Sequence, residues 1–385
     1  MKVGIVVPYS WSFWGGVVEH ATEQARALEQ MGIETTLIVG HDPPGRFSRA
    51  LHPRVGRDEP LPANAVPVGR SVIAPANSSL ANIVLSPSAV SRIRRAFERA
   101  RFDLLHIHEP LTPVIGVASL AHARVPVVAT FHAAGESRWR SVALQAWGFL
   151  LDRIDLRIAV SEAAARTAEG YSPGSYQIVP NGVRIAERPY PSERRNQVIF
   201  VGRHEPRKGL EVLLRAWPGV HAAFGARLRV VGADPLAVRY RIGRHRLSDE
   251  GVDVLGVLSS EELDAELASA KLLVAPSLGN ESFGMVLIRA FAAGTPVVAT
   301  DIDGYRQVVT RDAGVLVPPG DPRALAEGVA ALLGDEPRRR SLGLRARHVA
   351  GAYAWPVLAG HLAGLYDEVL GTTTVRQGRL RTCPP

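Results

Sequence analysis

The feature that most constrains this chain is an order of elements that occurs twice: an apolar strand, a glycine-containing loop, a helical pattern and another strand. Parallel strands cannot be joined by a tight turn, so such an order commits a chain to crossover helices and a sheet covered on both faces. The first run starts at Lys2 to Pro8 and passes through Tyr9-Ser10-Trp11-Ser12-Phe13-Trp14-Gly15-Gly16. It continues as a helical pattern from Val17 to Met31 and a strand from Glu34 to Gly40. Further strands are predicted within 103–110, 126–131, 156–160 and 178–183. A linker with Pro189 and Pro191 follows, and the pattern restarts at Gln197 to Val201, with strands at Leu228, Val252, Leu272 and Gly314. The expectation is an α/β protein of two doubly wound, Rossmann-like domains with a cleft between them. The first spans 1–190 and the second 191–354; a last amphipathic helix covers 355–371 and a disordered tail 372–385. Residues 41 to 87, rich in Pro, Gly, Asn and Ser, read as an irregular or weakly stranded excursion.

Charge limits the partners. A net charge of +8 calls for an anion: a phosphate-bearing small molecule, an acidic membrane surface or nucleic acid. Almost every basic residue is Arg, Lys occurring only at 2, 208 and 271. The single cysteine, Cys383, excludes an internal disulfide framework and a thiolate metal cluster. No run approaches the ~18 apolar residues of a membrane span, and the start is too short for a signal segment before Pro8, so a cytoplasmic protein is expected. The helix near 88–101 puts Ile93, Ala96, Phe97 and Ala100 on one face and Arg92, Arg95 and Arg99 on another. Such a face is either a solvated exterior or a seat on anionic lipid.

Three places carry chemistry. At 279–300 a polar loop opens a short helix, whose first amides and partial positive charge suit phosphate or sugar oxygens while Glu281 accepts hydroxyls; a local acidic cap is the plainer reading. The loop after the restarted strand carries Arg203, Arg207 and Lys208, placed to neutralise a diphosphate. In the first half, Gly15-Gly16 makes either a plain tight turn or a close backbone approach to a ligand. His108, Glu109 and His132 fall at the carboxyl ends of strands, where open α/β sheets bind ligands and where a lone histidine can instead satisfy a neighbouring carbonyl. Trp11, Phe13 and Trp14 either pack inward or form an apolar rim.

Gly15-Gly16, His106-Ile107-His108-Glu109-Pro110, Thr130-Phe131-His132, Pro180-Asn181-Gly182-Val183, the Gly202 to Gly209 loop and Glu281-Ser282-Phe283-Gly284 together resemble the retaining GT-B glycosyltransferases. Within them the chain is similar to the actinobacterial phosphatidylinositol mannosyltransferases that use GDP-mannose, over residues 1 to about 370. The resemblance implies that the Gly16 backbone, Arg203 and Lys208 hold the diphosphate, and that Glu281, Ser282, Phe283 and Gly284 bind sugar and phosphate. It also implies that His132 contacts the sugar, Leu258 lies near the base, Tyr9 helps hold the inositol headgroup, and Arg92, Arg95 and Arg99 face the membrane. It implies a metal-independent hexosyltransferase without cofactor or nucleic-acid partner, peripheral at the inner face of the cell membrane. Two positions depart from the pattern. Arg289 stands where the family has a second Glu that accepts ribose hydroxyls, and Phe13 where the similar enzymes have an acidic residue. These leave as alternatives another nucleotide sugar with a different lipid or soluble acceptor, or a catalytically weakened binding protein of the same fold.

Overall fold

The computed structural model describes residues 1–13, 15–45, 48, 60–76, 79–135, 144–186, 193–203 and 205–381; side chains at 75, 76, 79, 80 and 373–381 are left aside. Trp14, Cys383 and the linker prolines therefore lie outside the described residues. The chain forms two compact units, Met1–Gly182 with Trp355–Pro385, and Val183–Ala354.

In the first unit the strands are β1 (Lys2–Ser10), β2 (Glu34–Gly40), β3 (Ala65–Pro67), β4 (Ser71–Ala76), β5 (Ser79–Val84), β6 (Leu104–His108), β7 (Val127–Phe131), β8 (Leu156–Ala159) and β9 (Tyr176–Ile178). Their order is β3-β2-β1-β6-β7-β8-β9, all parallel, with β4 and β5 paired antiparallel beside β1. The excursion thus contains a hairpin among its described residues. The helices are α1 (Gly16–Gln30), α2 (Ser88–Ala100), α3 (Ile115–His122) and α4 (Glu162–Glu169). Side chains alternate along β1: Val3, Ile5 and Val7 meet the α1 side, while Val6 joins Ile38, Ile93, Leu105 and Ile107 on the other. Burial on both faces explains why these strands read as unbroken apolar runs.

The second unit has strands β10 (Arg195–Val201), β11 (Arg227–Val231), β12 (Val252–Gly256), β13 (Ala270–Ala275), β14 (Val297–Thr300) and β15 (Gly314–Val317), in the order β12-β11-β10-β13-β14-β15. Its helices are α5 (Leu210–Phe224), α6 (Pro235–Arg244), α7 (Ser260–Ser269), α8 (Met285–Ala292), α9 (Asp303–Arg306), α10 (Pro322–Leu333) and α11 (Glu336–Ala350). Both units are parallel-sheet, Rossmann-like α/β domains. In each the strand order reverses beside the first strand, at β1/β6 and at β10/β13, and it is there that a doubly wound sheet opens a crevice.

The chain returns to the first unit as α12 (Trp355–Arg381). Trp355, Leu358, Ala359, Leu362, Leu365, Tyr366 and Val369 are buried at helical spacing in the core that α1 also covers. This helix runs through residues 372–381, where a disordered tail was expected: the helical backbone continues past the end of the apolar periodicity.

Candidate functional site

The second unit gathers its charged groups at the β10/β13 switch point. After β10 the chain makes a single 3-10 turn, Pro206–Lys208, and enters α5 through Gly209 with φ 70°. A Cβ on Gly209 would lie 1.8 Å from the Pro276 carbonyl oxygen, so only glycine lets the loop after β10 run against the end of β13. The Leu278 amide then donates to the Arg207 carbonyl at 2.7 Å, tying the two loops together. A similar approach fixes the 281 backbone, since a Cβ on Gly304 of α9 would meet the Glu281 carbonyl oxygen at 2.0 Å.

Between these clamps Glu281 Oε1 receives Arg207 Nη1 at 2.7 Å, Lys208 Nζ at 2.8 Å and Ser277 Oγ at 3.3 Å. Ser277 in turn shares a 2.8 Å hydrogen bond with the Tyr305 hydroxyl, whose pKa is raised by burial and by Glu281. Arg203 and Arg207 both pair with Glu205, at 3.1 and 2.9 Å. Each of these cations is thus matched by a carboxylate. Helix α8 begins at Gly284, φ 93°, with no side-chain cap. Glu281 is therefore not the local cap its sequence position allowed, and the first amides of the helix are left without a side-chain partner. Ser282 is half-buried, Phe283 packs against Tyr353 with ring centroids 5.6 Å apart, and Leu258 is half-buried behind the exposed Val257.

Arg289 is not directed at this cluster. Its guanidinium holds Asp264 Oδ1 at 2.7 and 3.1 Å and Ser260 Oγ at 2.9 Å, in the first half of α7. Arg289 thus brings a carboxylate of another helix, Asp264, beside its own position.

In the first unit the corresponding switch point is built of histidines. His108 ends β6 and His132 follows β7, and His108 Nδ1 lies 2.8 Å from His132 Nε2. His106 stacks on His108 with centroids 4.7 Å apart and bonds Tyr366, Gln24 and Thr130, which fixes α12 to α1 and the sheet. His20, from α1, closes the group at 5.1 Å from the His132 ring. Burial lowers every one of these pKa values, to about 4 for His20 and about 3 for His106, so the rings are neutral near pH 7. His132 can accordingly share hydrogen bonds but brings no positive charge. Glu109, with φ 49°, turns Oε1 onto the amides of His132 and Ala133, both at 2.8 Å. Tyr9 lies near the end of β1, where burial and the charge of Glu109 raise its pKa. Gly16 is the exposed first residue of α1, whose N-terminus also lacks a side-chain cap. Trp11 is buried in the core and Phe13 half-buried. On α2, Arg92, Arg95 and Arg99 are exposed, opposite the buried Ala89 and Ile93.

The sequence pointed to Glu281, Lys208, Arg203, His132 and Gly16. It did not reveal Ser277, Glu205, Tyr305 or Asp264, whose roles arise from strand and helix adjacency, nor His20, which reads as one polar residue on an ordinary helix.

Residues 14–187 match the family described as Glycosyltransferase Family 4, and residues 195–335 the one described as Glycosyl transferases group 1. The phosphatidyl-myo-inositol mannosyltransferase of Mycobacterium leprae is 35% identical over 384 residues, covering 96% of this chain and 97% of its own. That of Propionibacterium freudenreichii is 34% identical, covering 95% and 94%. Among solved structures, sucrose-phosphate synthase from Thermosynechococcus elongatus superposes with a TM-score of 0.75 at 21% identity, over 96% of this chain and 99% of that one.

Proposed function

The chain belongs to the glycosyltransferase family of the phosphatidyl-myo-inositol mannosyltransferases, and from that premise we propose that it moves mannose from GDP-mannose to a phosphatidylinositol-type lipid, with retention of anomeric configuration and without a catalytic metal. The observation that carries the reading is the meeting of Arg207, Lys208 and Glu281 beside the uncapped start of α8. Departure of the nucleoside diphosphate builds negative charge on the β-phosphate. Lys208, Arg203 and the helix terminus stabilise that charge more than they stabilise the bound donor, which is the condition for catalysis. Glu281, relieved of its cations, takes the hydroxyls of the sugar; in the first unit the Gly16 backbone is assigned to the diphosphate and His132 to the sugar.

Retention is assigned to attack by the acceptor on the face the nucleotide leaves. In its support, Glu109, which accepts from the amides of His132 and Ala133, is turned onto backbone rather than left as a nucleophile. Tyr9 is assigned to the inositol headgroup and the α2 arginines to the inner membrane surface. Asp264, held by Arg289, takes the ribose hydroxyls in place of the missing glutamate.

The configuration of the product, read from its anomeric NMR couplings after a reaction run in EDTA, tests the mechanism. An α-mannoside formed at an undiminished rate is the expected result; a β-mannoside, or loss of turnover in chelator, contradicts it. A second reading, another nucleotide sugar or acceptor, draws on Phe13 and on Arg289 being committed to Asp264.

A further inference from the structure

The histidines of the first unit do more than fill a core. His20, His108 and His132 come from three different elements, and one nitrogen of each lies within 4.8 Å of the other two. His20 Nδ1 and His108 Nε2 are buried and have no hydrogen-bond partner, a costly condition for polar atoms in a protein interior. We propose that His20, His108 and His132 form a site for a divalent transition-metal cation of the Zn2+ class, through which such a cation inhibits the enzyme.

The donor chemistry fits. Imidazole nitrogens suit Zn2+, Co2+, Ni2+ and Cu2+, whereas Mg2+ and Ca2+ require oxygen. Burial keeps the three rings in the neutral form that ligates. Around an ion with Zn–N distances of about 2.0–2.1 Å the ligand nitrogens stand roughly 3.3 Å apart, so a contraction on the order of 1 Å, achieved by ring rotation, closes the site. The cation gives His20 Nδ1 and His108 Nε2 the partner that each lacks. Charge is compensated nearby by Glu109, which is bound to the His132 and Ala133 amides. An ion held there fixes the His132 ring; that this inhibits transfer rests on the proposed role of His132, whereas binding itself does not.

The test is Co2+ titration of the full-length, chelator-stripped protein followed by visible absorption, with Mg2+ as control. One equivalent with a ligand-field band is expected, and His20→Ala and His20→Asn weaken binding by more than about 100-fold. X-ray absorption on the Zn2+-loaded wild-type protein counts the imidazole ligands without any substitution, and three are expected. Absence of Co2+ uptake, fewer than three imidazoles, or wild-type affinity in a folded His20 variant overturns the site. Zn2+ is expected to slow transfer by the wild-type enzyme but not by His20→Asn; binding without inhibition overturns the inhibitory half. If the protein transfers no mannose, the Co2+ spectrum still decides whether the site exists.

Discussion

Oxygen Oε1 of Glu281 collects Arg207, Lys208 and Ser277, three donors on one acceptor. On the proposed mechanism Lys208→Ala removes a charge whose value is greatest as the β-phosphate departs. Its kcat is expected to fall about 100- to 1,000-fold with little change in KM, as for loss of a single oxyanion donor. Steady-state kinetics check this, and an increase in KM alone would reduce Lys208 to a ground-state contact. Gly209→Ala puts a Cβ against the Pro276 carbonyl at a positive φ, and urea unfolding is expected to show a loss of about 1–3 kcal/mol. Lys208 and Glu281 were legible in the sequence because charged residues in loops after buried strands have few structural reasons to be there. Ser277 and Tyr305 were not legible, because nothing along the chain announces that β10 and β13 are neighbours. His20 was hidden differently: one polar residue among helical ones has no signature until β6 and β7 bring two more imidazoles to it.

Helices α7 and α8 are coupled by Arg289. The sequence marked this residue as a departure, and its partner was invisible because Asp264 sits 25 residues away on a separate helix. Asp264→Asn is expected to weaken GDP binding roughly tenfold by calorimetry, a cost of about 1.4 kcal/mol. Unchanged affinity would remove Asp264 from the ribose. Arg289→Glu sets two carboxylates against each other and is expected to weaken binding too; tighter binding would mean that the family glutamate had been restored to work. On α2, of the apolar face the periodicity predicts, Ile93 is buried and Ala96, Phe97 and Ala100 are half-buried, while the arginines face outward. At about 1 kcal/mol for each basic side chain near an anionic surface, replacing Arg92, Arg95 and Arg99 with Ala is expected to cut binding to anionic vesicles by roughly 100-fold in flotation. Equal flotation of wild-type and substituted protein, or equal binding to neutral vesicles, would make that face an ordinary solvated exterior.

At the scale of the whole molecule, two repeats of one strand and helix order give two parallel sheets, each with its strand order reversing beside the first strand. That architecture was legible because buried parallel strands are continuous apolar runs whose crossovers need helices of predictable length. The β4/β5 hairpin was less so, its residues lying among turn formers, and the reach of α12 to Arg381 was missed because its last turns carry no apolar stripe. Among the described residues no helix is long and apolar enough to cross a membrane, and the +8 net charge suits an anionic surface. The most direct measurement is release of nucleoside diphosphate from GDP-mannose and from a set of UDP-sugars, with and without phosphatidylinositol vesicles and with no added metal. Release from GDP-mannose that depends on phosphatidylinositol is the predicted result. Release from a UDP-sugar instead, or release from GDP-mannose indifferent to the lipid, would contradict it.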